Sequence, residues 1–328
     1  LLVPRDGAGR FPGRGHRLPD VYRLTNSQTH RKTTQGLGNS RGLGHIGAMK
    51  EFQLAPAPED ERLTQQVGGI DQTGAPIDTR VVIEQPLTLY LNGQEIVTMM
   101  TIGDHPDCLA VGYLLNQNML RPDDELTGID YDEELSVVVV RTARKTDFEE
   151  KLQKKTLTSG CAQGTAFGDI MESFDEIKLP GDATLKTSWI YELSRKINQR
   201  PSLYLAAGAI HGCVLCHQDR PLIYMEDVGR HNAVDKIAGW MFLNGESAAG
   251  KIFYTTGRLT SEMVIKTVHM GIPILISRSG FTAWGVDLAR QAGLTLIGRA
   301  KGKRFICLAG EDRLIFDAAI NSDIGDDD

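Results

Sequence analysis

The second half of the chain alternates between helical and strand-like patterns, and this alternation restricts the fold more than any other feature. Helical periodicity covers residues 231–243, 260–270 and 281–292, and the segments KIFYTT, IPILIS and LTLIG have the pattern of the intervening strands. Gly271 and Gly293 follow two of the helices, where a left-handed residue commonly ends a helix. Because parallel strands need a long crossover, usually a helix, this spacing predicts parallel strands with helices packed on the sheet.

More strands and helices are predicted on the N-terminal side of this region. SWIYELSRKINQ (188–199) has the pattern of a helix, and GAIHGCVLCHQDRPLIYMED has that of two strands around a polar turn at 218–221. The Asn-Gly pair at 92–93 separates two strand-like runs and predicts a β-hairpin. Asp104 is a candidate N-cap of the next helix, which would have Pro106 in its first turn.

Charge is distributed unevenly along the chain. Residues 1–50 contain nine Lys/Arg and two Asp/Glu, so the rest of a chain of net charge −6 is acidic. A basic arm for nucleic acid is one interpretation. The segment has no period and no interleaved aromatic residues, so we favour a disordered tail, or sequence upstream of a start at Met49, and expect no nucleic-acid partner.

These patterns divide the chain into five parts. They are an N-terminal extension (1–77), a small α+β domain (78–157), a mobile loop (158–183), an α/β domain (184–312) and an acidic tail (313–328).

Composition excludes several classes of protein. No run approaches the ~20 apolar residues of a membrane span. The N-terminal residues contain no apolar segment of the kind found in signal peptides. Five scattered cysteines, an odd number, argue against a disulfide framework. We therefore expect a soluble, cytoplasmic protein without membrane association.

The cysteines fall into two kinds of sequence context. Cys161 lies between Gly160 and Gly164 in a small, polar stretch, where an exposed thiolate on a flexible backbone could react with another macromolecule's sulfur. An incidental surface cysteine is the alternative. Cys213 and Cys216 have zinc-knuckle spacing, but side chains three apart on a strand point to opposite faces. We therefore expect two core thiols and no structural zinc.

The stretch EDVGRHNAVDK (226–236) begins where a predicted strand ends, at Glu226 and Asp227, and continues through a glycine turn into a helix. Arg230 and His231 open the next helix, whose free amides and dipole suit an anionic or polar ligand. The alternative is that Asp227 or Asn232 merely caps the helix while Arg230 pairs with Asp235.

Two more segments, TTGRLTSEM and GRAKGKRF, also follow strands of the same predicted sheet. Ligands of open α/β sheets bind beyond the carboxyl ends of the strands, so Arg258 and Ser261 are expected to face a pocket there. A solvated basic turn is the alternative for the second segment. Its cationic side chains, which suit phosphate or pyrophosphate, are Arg299, Lys301, Lys303 and Arg304.

In this order, the segments resemble the formate dehydrogenase accessory sulfurtransferase family (FdhD family). The similarity covers about residues 80–310, and its most specific stretch is EDVGRHNAVDK at 226–236. Supporting stretches are GAIH, TTGRLTSEMV, GIPILIS and LTLIGRAKGKRF.

The resemblance implies a fold and an activity. The fold would be a cytidine-deaminase-like three-layer α/β/α domain with a smaller N-terminal β-rich (α+β) domain, assembled as a homodimer. The protein would take persulfide sulfur from a cysteine desulfurase and pass it to the molybdenum (or tungsten) bis-molybdopterin guanine dinucleotide cofactor. That cofactor is bound as a substrate, which a guanine nucleotide could mimic, and formate dehydrogenase is the client.

The resemblance also implies site residues. Cys161 matches the family's sulfur-accepting cysteine on a mobile loop, and Arg230, His231, Arg258 and Ser261 are expected to line the cleft for the nucleotide end or the metal-dithiolene centre. The segment that matches the family's cofactor-binding turn consists of Arg299, Ala300, Lys301, Gly302, Lys303 and Arg304.

The sequence departs from the family at two positions. Gly164 stands where many members have a second loop cysteine, and Ala207 stands where threonine is frequent. A single cysteine still suffices for transfer through one persulfide. The missing cysteine nevertheless favours an alternative, a non-catalytic chaperone that delivers the molybdenum cofactor. A zinc nucleoside deaminase is a third hypothesis, but His211-Gly-Cys replaces the His-x-Glu that it needs.

Overall fold

The structure, a computed structural model, describes residues 51–144, 171 and 174–318, together with the backbone of 155–158 and 161–166. The strands are β1 (Thr64–Ile70), β2 (Pro76–Val82), β3 (Gln85–Leu91), β4 (Gln94–Thr101), β5 (Leu126–Asp132), β6 (Val137–Thr142), β7 (Lys155–Thr158), β8 (Cys161–Ala166), β9 (Leu185–Lys186), β10 (His211–His217), β11 (Arg220–Asp227), β12 (Lys251–Thr255), β13 (Ile274–Ser277), β14 (Thr295–Lys301), β15 (Arg304–Ala309) and β16 (Leu314–Ile315). The helices are α1 (Pro106–Asn116), α2 (Thr187–Gln199), α3 (Leu203–Ala207), α4 (Arg230–Leu243), α5 (Ser261–His269) and α6 (Ala283–Ala292).

A six-stranded sheet with the order β11-β10-β12-β13-β14-β15 forms the centre of the fold. The predicted parallel pairing is confirmed for β12 with β13 and for β13 with β14, while β10, β11 and β15 are antiparallel to their neighbours. Gly271 and Gly293 have φ values of 73° and 71°, as expected for residues that end helices.

Helices cover both faces of this sheet, which confirms the expected three-layer α/β/α arrangement. Helices α4, α5 and α6 pack on one face with Cys213, and α2 packs on the other with Cys216. The two cysteines therefore lie on opposite faces, as the alternation of side chains along a strand predicts. None of the helices among the described residues is long and apolar enough to span a membrane.

A smaller sheet, β4-β3-β6-β5, packs with α1 around a second apolar cluster. Its helix α1 crosses α4 with the two backbones in contact. A Cβ atom on Gly112 would lie 1.7 Å from the Asp235 carbonyl oxygen, and one on Gly239 would lie 1.9 Å from that of Cys108. Only glycine permits this crossing, so the smaller sheet is joined closely to the α/β layers.

The folded chain extends beyond the expected domain boundaries at both ends. Before residue 78, β1 pairs with β2, and Leu54 adds a bridge to Ile223 at the edge of the central sheet. Beyond residue 312, β16 pairs with β9 in parallel register. Leu54 with Ile223 and β16 with β9 are pairings between residues far apart in the chain, which local sequence patterns do not reveal. Residues 1–50 and 319–328 lie outside the described part of the chain.

The segment expected to be a loop, 158–183, is partly folded. Strands β7 and β8 form an antiparallel hairpin in which Thr158 is opposite Cys161. Phe174 and Leu179 are buried in the core below α4 to α6 because their side chains are apolar. Mobility of the part around Cys161 stays a prediction, since several of its residues lie outside the described ones.

The expected N-cap of α1 is wrong. His105, not Asp104, occupies the N-cap position, with a φ of 47° and no capping hydrogen bond from its side chain, while Pro106 begins the helix. The carboxylate of Asp104 instead accepts a hydrogen bond from Lys236 Nζ. The Asp104 carboxylate thus binds the buried ammonium group of Lys236 instead of capping α1.

Candidate functional site

The carboxyl ends of the parallel strands β12, β13 and β14 lie at one edge of the central sheet, which we call the carboxyl edge. Arg258 and Arg278 follow the first two strands, and Arg299 lies near the end of the third. The Arg299 N–H donates to the Ser279 carbonyl oxygen at 2.8 Å, which connects the loop after β13 to β14. Because β10 is antiparallel to β12, His211 at its start lies at the same edge.

Arg230, His231 and Glu262 form the inner group of this edge, at the first turns of α4 and α5. Arg230 and His231 are each only 8% exposed. His231 Nε2 lies 3.1 Å from Glu262 Oε2, and Arg230 Nη2 lies 4.0 Å from the same oxygen. Burial lowers the pKa of His231, and the interaction with Glu262 opposes that shift. Ser261, partly exposed, is the first residue of α5.

The pKa of His211 shows which cations of this edge lie near its ring. Its ring is half-buried, and burial lowers its pKa first, followed by the positive charges of Arg230, His231, Arg258 and Arg278. Four side chains at the ends of three elements, α4, β12 and β13, therefore act on His211. Of the sequence-predicted residues, this arrangement brings Arg230, His231 and Arg258 together.

The turn between β14 and β15 supplies four further cations, Arg299, Lys301, Lys303 and Arg304, which form the outer group. They line a cleft of about 750 Å³ together with Arg278 and an apolar wall of Tyr191, Phe305, Ile306 and Phe316. The other two residues of the predicted segment play different parts. Ala300 is buried in the apolar layer under α2, and Gly302 has a φ of 58° in the turn. The side chain of Ala300 therefore faces the core instead of the cleft.

Arg278 is a further residue of the candidate site, and no sequence motif singled it out. It lines the cleft of the outer group and also acts electrostatically on His211 beside the inner group. Its guanidinium carbon lies 4.6 Å from the centre of the Tyr204 ring. The signal was available, since Arg278 directly follows a predicted strand of the sheet, where ligands of α/β proteins bind.

The motif at 226–236 has a structural part that is separate from the inner group. Asp227 Oδ1 accepts hydrogen bonds from the Gly229 N–H and from Asn232 Nδ2, which also donates to the Met100 carbonyl oxygen. Asp235 binds Lys266, not Arg230. The local alternative is therefore wrong in both parts: Gly229 is the N-cap of α4 and receives no capping hydrogen bond from a side chain, and Arg230 lies near Glu262 instead of Asp235.

Cysteine and metal chemistry can be described for part of the chain. Burial raises the pKa of Cys108 and of Cys213 to about 12 and also raises the pKa of Cys216, so these thiols are unreactive. No group of His, Cys, Asp or Glu residues within 51–144 and 174–318 is arranged to hold a metal ion. The backbone of Cys161 begins β8, and its side chain lies outside what the structure describes.

The fold and the site define an α/β/α protein with a cation-rich candidate site at the carboxyl edge of its sheet. The sequence profile of the FdhD/NarQ family matches residues 82–315, and the chain belongs to this family.

Several relatives are similar over most of their length. The "Sulfur carrier protein FdhD" of Listeria monocytogenes is 30% identical over 73% of this chain and 92% of its own. The protein of the same name from Bacillus subtilis is 29% identical over 73% of this chain and 91% of its own. Among solved structures, one described as a formate dehydrogenase accessory protein from Desulfotalea psychrophila gives a TM-score of 0.62 at 28% identity, covering 77% of this chain and 99% of that one.

Proposed function

We propose that this protein is a sulfur carrier that serves formate dehydrogenase by sulfurating its metal cofactor. The observation that carries the proposal is the carboxyl edge itself, where Arg230, Arg258 and Arg278 act on His211 and where Arg278 and the outer group line an open cleft. Family membership and the names of the relatives support the sulfur chemistry. The substrate is the molybdenum (or tungsten) bis-molybdopterin guanine dinucleotide cofactor.

In the sulfur-accepting step, the Cys161 thiolate attacks the outer sulfur of a persulfide on a cysteine desulfurase. A new S–S bond forms at Cys161, the donor's S–S bond breaks, and the donor cysteine leaves as a thiolate. No oxidant is consumed. In the transfer step the S–S bond at Cys161 breaks, the Cys161 thiolate is regenerated, and the outer sulfur goes to the cofactor, whose metal in its reduced state would supply the two electrons that convert this sulfur to sulfide.

The cations would bind the phosphate-bearing parts of this substrate. The cofactor contains two guanine dinucleotide arms, each with a pyrophosphate, and guanidinium and ammonium groups suit such anions. In the proposal the outer group binds pyrophosphate, while Arg230, His231, Arg258 and Ser261 line the deeper part of the cleft. A guanine nucleotide such as GDP should therefore bind in place of the whole cofactor.

The sulfur carrier can be distinguished from the chaperone that only delivers the cofactor. The second hypothesis is favoured by Gly164, which removes the partner that a disulfide relay would need. A host strain that lacks its own family member would be complemented with the wild-type chain, Cys161→Ala or Cys307→Ala. If the protein is a sulfur carrier, Cys161→Ala abolishes formate dehydrogenase activity and Cys307→Ala does not. The purified Cys161→Ala variant should still bind GDP. Full activity of Cys161→Ala would decide for the chaperone.

We also propose that the protein acts as a homodimer in the cytoplasm. Light scattering of the purified protein tests for the homodimer. A mass of 36.0 kDa, that of one chain, would contradict it.

A further inference from the structure

Arg278 lies between the two cationic groups of the carboxyl edge. It follows β13, the middle one of the three parallel strands, whereas Arg258 follows β12 and the outer group follows β14. It lines the outer cleft, and its charge also lowers the pKa of His211, together with Arg230, His231 and Arg258. A ligand that extends from one group to the other must therefore pass Arg278.

Within the described part of the chain, the guanidinium of Arg278 contacts neutral partners. The Tyr204 ring lies 4.6 Å from its central carbon, and Nη1 donates to Asn198 Oδ1 at 3.4 Å. No carboxylate of the described residues forms an ion pair with it, in contrast to Arg230, which has Glu262. The aromatic ring covers the guanidinium without using its N–H groups, so donors along the edge stay available for a bidentate anion.

Tyr204 is itself fixed in place by the motif at 226–236. The buried Glu226 carboxylate accepts hydrogen bonds from the N–H groups of Leu203 at 2.7 Å and Tyr204 at 3.2 Å. Ser202 Oγ accepts from the Leu205 N–H at 3.3 Å and completes the cap of the short helix α3. The exposed ring of Tyr204 is thus attached to a backbone that these hydrogen bonds hold in place. Because the guanidinium of Arg278 packs on this ring, the ring limits the orientations of Arg278.

We propose that Arg278 is the residue that selects a diphosphate over a monophosphate, and that Tyr204 is its positioning residue. Arg278 binds one phosphate through two N–H groups, while the outer group binds the next one. This inference rests on the proposed function for its ligand, a nucleoside diphosphate or the equivalent part of a dinucleotide.

The test uses the full chain and calorimetric titration with GDP, GMP and inorganic pyrophosphate. Arg278→Ala should weaken GDP and pyrophosphate binding about tenfold and GMP binding much less, because one bidentate phosphate contact is lost. Arg278→Lys should restore only part of the affinity, since an ammonium group cannot bind in the same bidentate manner. Arg141→Ala, at an exposed arginine on the smaller sheet, is the control and should bind like wild type.

Tyr204 gives a second, independent readout. Tyr204→Phe keeps the ring and should bind GDP like wild type, whereas Tyr204→Leu should weaken binding by roughly two- to fivefold, the size of an exposed cation–π contact. Thermal unfolding of each variant verifies that it is folded. If Tyr204→Phe and Tyr204→Leu lose affinity equally, the ring is not the platform and that part of the proposal is wrong.

Failure of this inference can be separated from failure of the proposed function. Equal GDP affinity of Arg278→Ala and wild type, or no binding of pyrophosphate to wild type at about 1 mM, overturns the role of Arg278. Loss of binding in Arg278→Ala alongside a Cys161 that never accepts sulfur would sustain Arg278 and reject the sulfur carrier.

Discussion

Lys236 Nζ lies 2.5 Å from Asp227 Oδ2, and neither side chain has any exposed surface. Thr101 Oγ1 donates to the same carboxylate oxygen at 2.6 Å, and Asp104 accepts a hydrogen bond from the same ammonium group. The Glu226 carbonyl oxygen accepts a further one at 3.0 Å. Burial and these carboxylates act oppositely on the Lys236 pKa, which is raised overall. This buried network ties the end of β4 and the start of α1 to the turn before α4.

Removal of the Lys236 charge should therefore destabilise the protein strongly. Lys236→Met leaves the buried Asp227 carboxylate and the partly exposed Asp104 carboxylate without their cation, and we expect the free energy of unfolding to fall by about 3–5 kcal/mol. Urea denaturation measures this loss. Lys178→Met, at an exposed lysine, is the matched control and should change stability by less than about 0.5 kcal/mol. A loss as small as the control's would show that the network does not hold the two parts together.

The crossing of α1 and α4 gives a second stability prediction. A methyl group at Gly239 would overlap the carbonyl oxygen of Cys108, and neither backbone can yield without separating the helices. Gly239→Ala should cost at least about 3 kcal/mol or prevent folding altogether. Gly181→Ala, where an added Cβ has no neighbour within 4 Å, should be nearly neutral. Equal unfolding temperatures of the two variants would contradict the close crossing.

Glu226 predicts an unusual dependence of stability on pH. Burial raises its pKa from 4.5 to about 7, and the hydrogen bonds from Leu203 and Tyr204 only partly oppose this. The folded state therefore holds this proton more tightly than the unfolded state does. Between pH 4.5 and 7, stability should fall as pH rises, by on the order of 3 kcal/mol from this group alone.

Glu226→Gln tests that dependence by comparison, since buried histidines change stability in the opposite direction over part of the same range. The wild-type free energy of unfolding minus that of Glu226→Gln should decline from pH 4.5 to 7 and then level off. Glu134→Gln, which removes an exposed carboxylate, should give a flat difference. A flat difference for Glu226→Gln as well would mean that its carboxyl group stays ionised throughout.

Glu262 sets the charge of the inner group. Its carboxylate lies beside His231 and Arg230, at a place where the proposal puts an anionic ligand. Glu262→Gln removes a competing negative charge, so GDP affinity should rise by about three- to tenfold. Calorimetric titration measures the change, with Glu134→Gln as the control. Weaker binding in Glu262→Gln would show that the carboxylate orients the cations instead of competing for them.

The features that sequence patterns predicted are those that depend on local periodicity. The alternation after residue 227 predicted the parallel part of the sheet, and the two-residue period of a strand placed Cys213 and Cys216 on opposite faces. The buried network could not be predicted in the same way, because Thr101 and Asp227 are 126 positions apart. Asp104 shows the conflict directly, since its local pattern suits a helix cap but its partner is Lys236.

The site was predicted in part for a similar reason. The rule that ligands bind at the carboxyl ends of strands located Arg258 and the outer group, and it would also have located Arg278 had it been applied to every strand. The pairing of Glu262 with Arg230 and His231 depends on two helices meeting at one edge, which no single motif records.

The central claim is that Cys161 alone accepts sulfur. The full chain would be incubated with a cysteine desulfurase and free cysteine, digested without reductant and mapped by mass spectrometry. The account predicts an added mass of about 32 Da, one sulfur atom, on the peptide that contains Cys161, and none on the buried Cys108, Cys213 and Cys216 or on the partly buried Cys307. An unmodified Cys161, or an adduct that persists in Cys161→Ala, would contradict it.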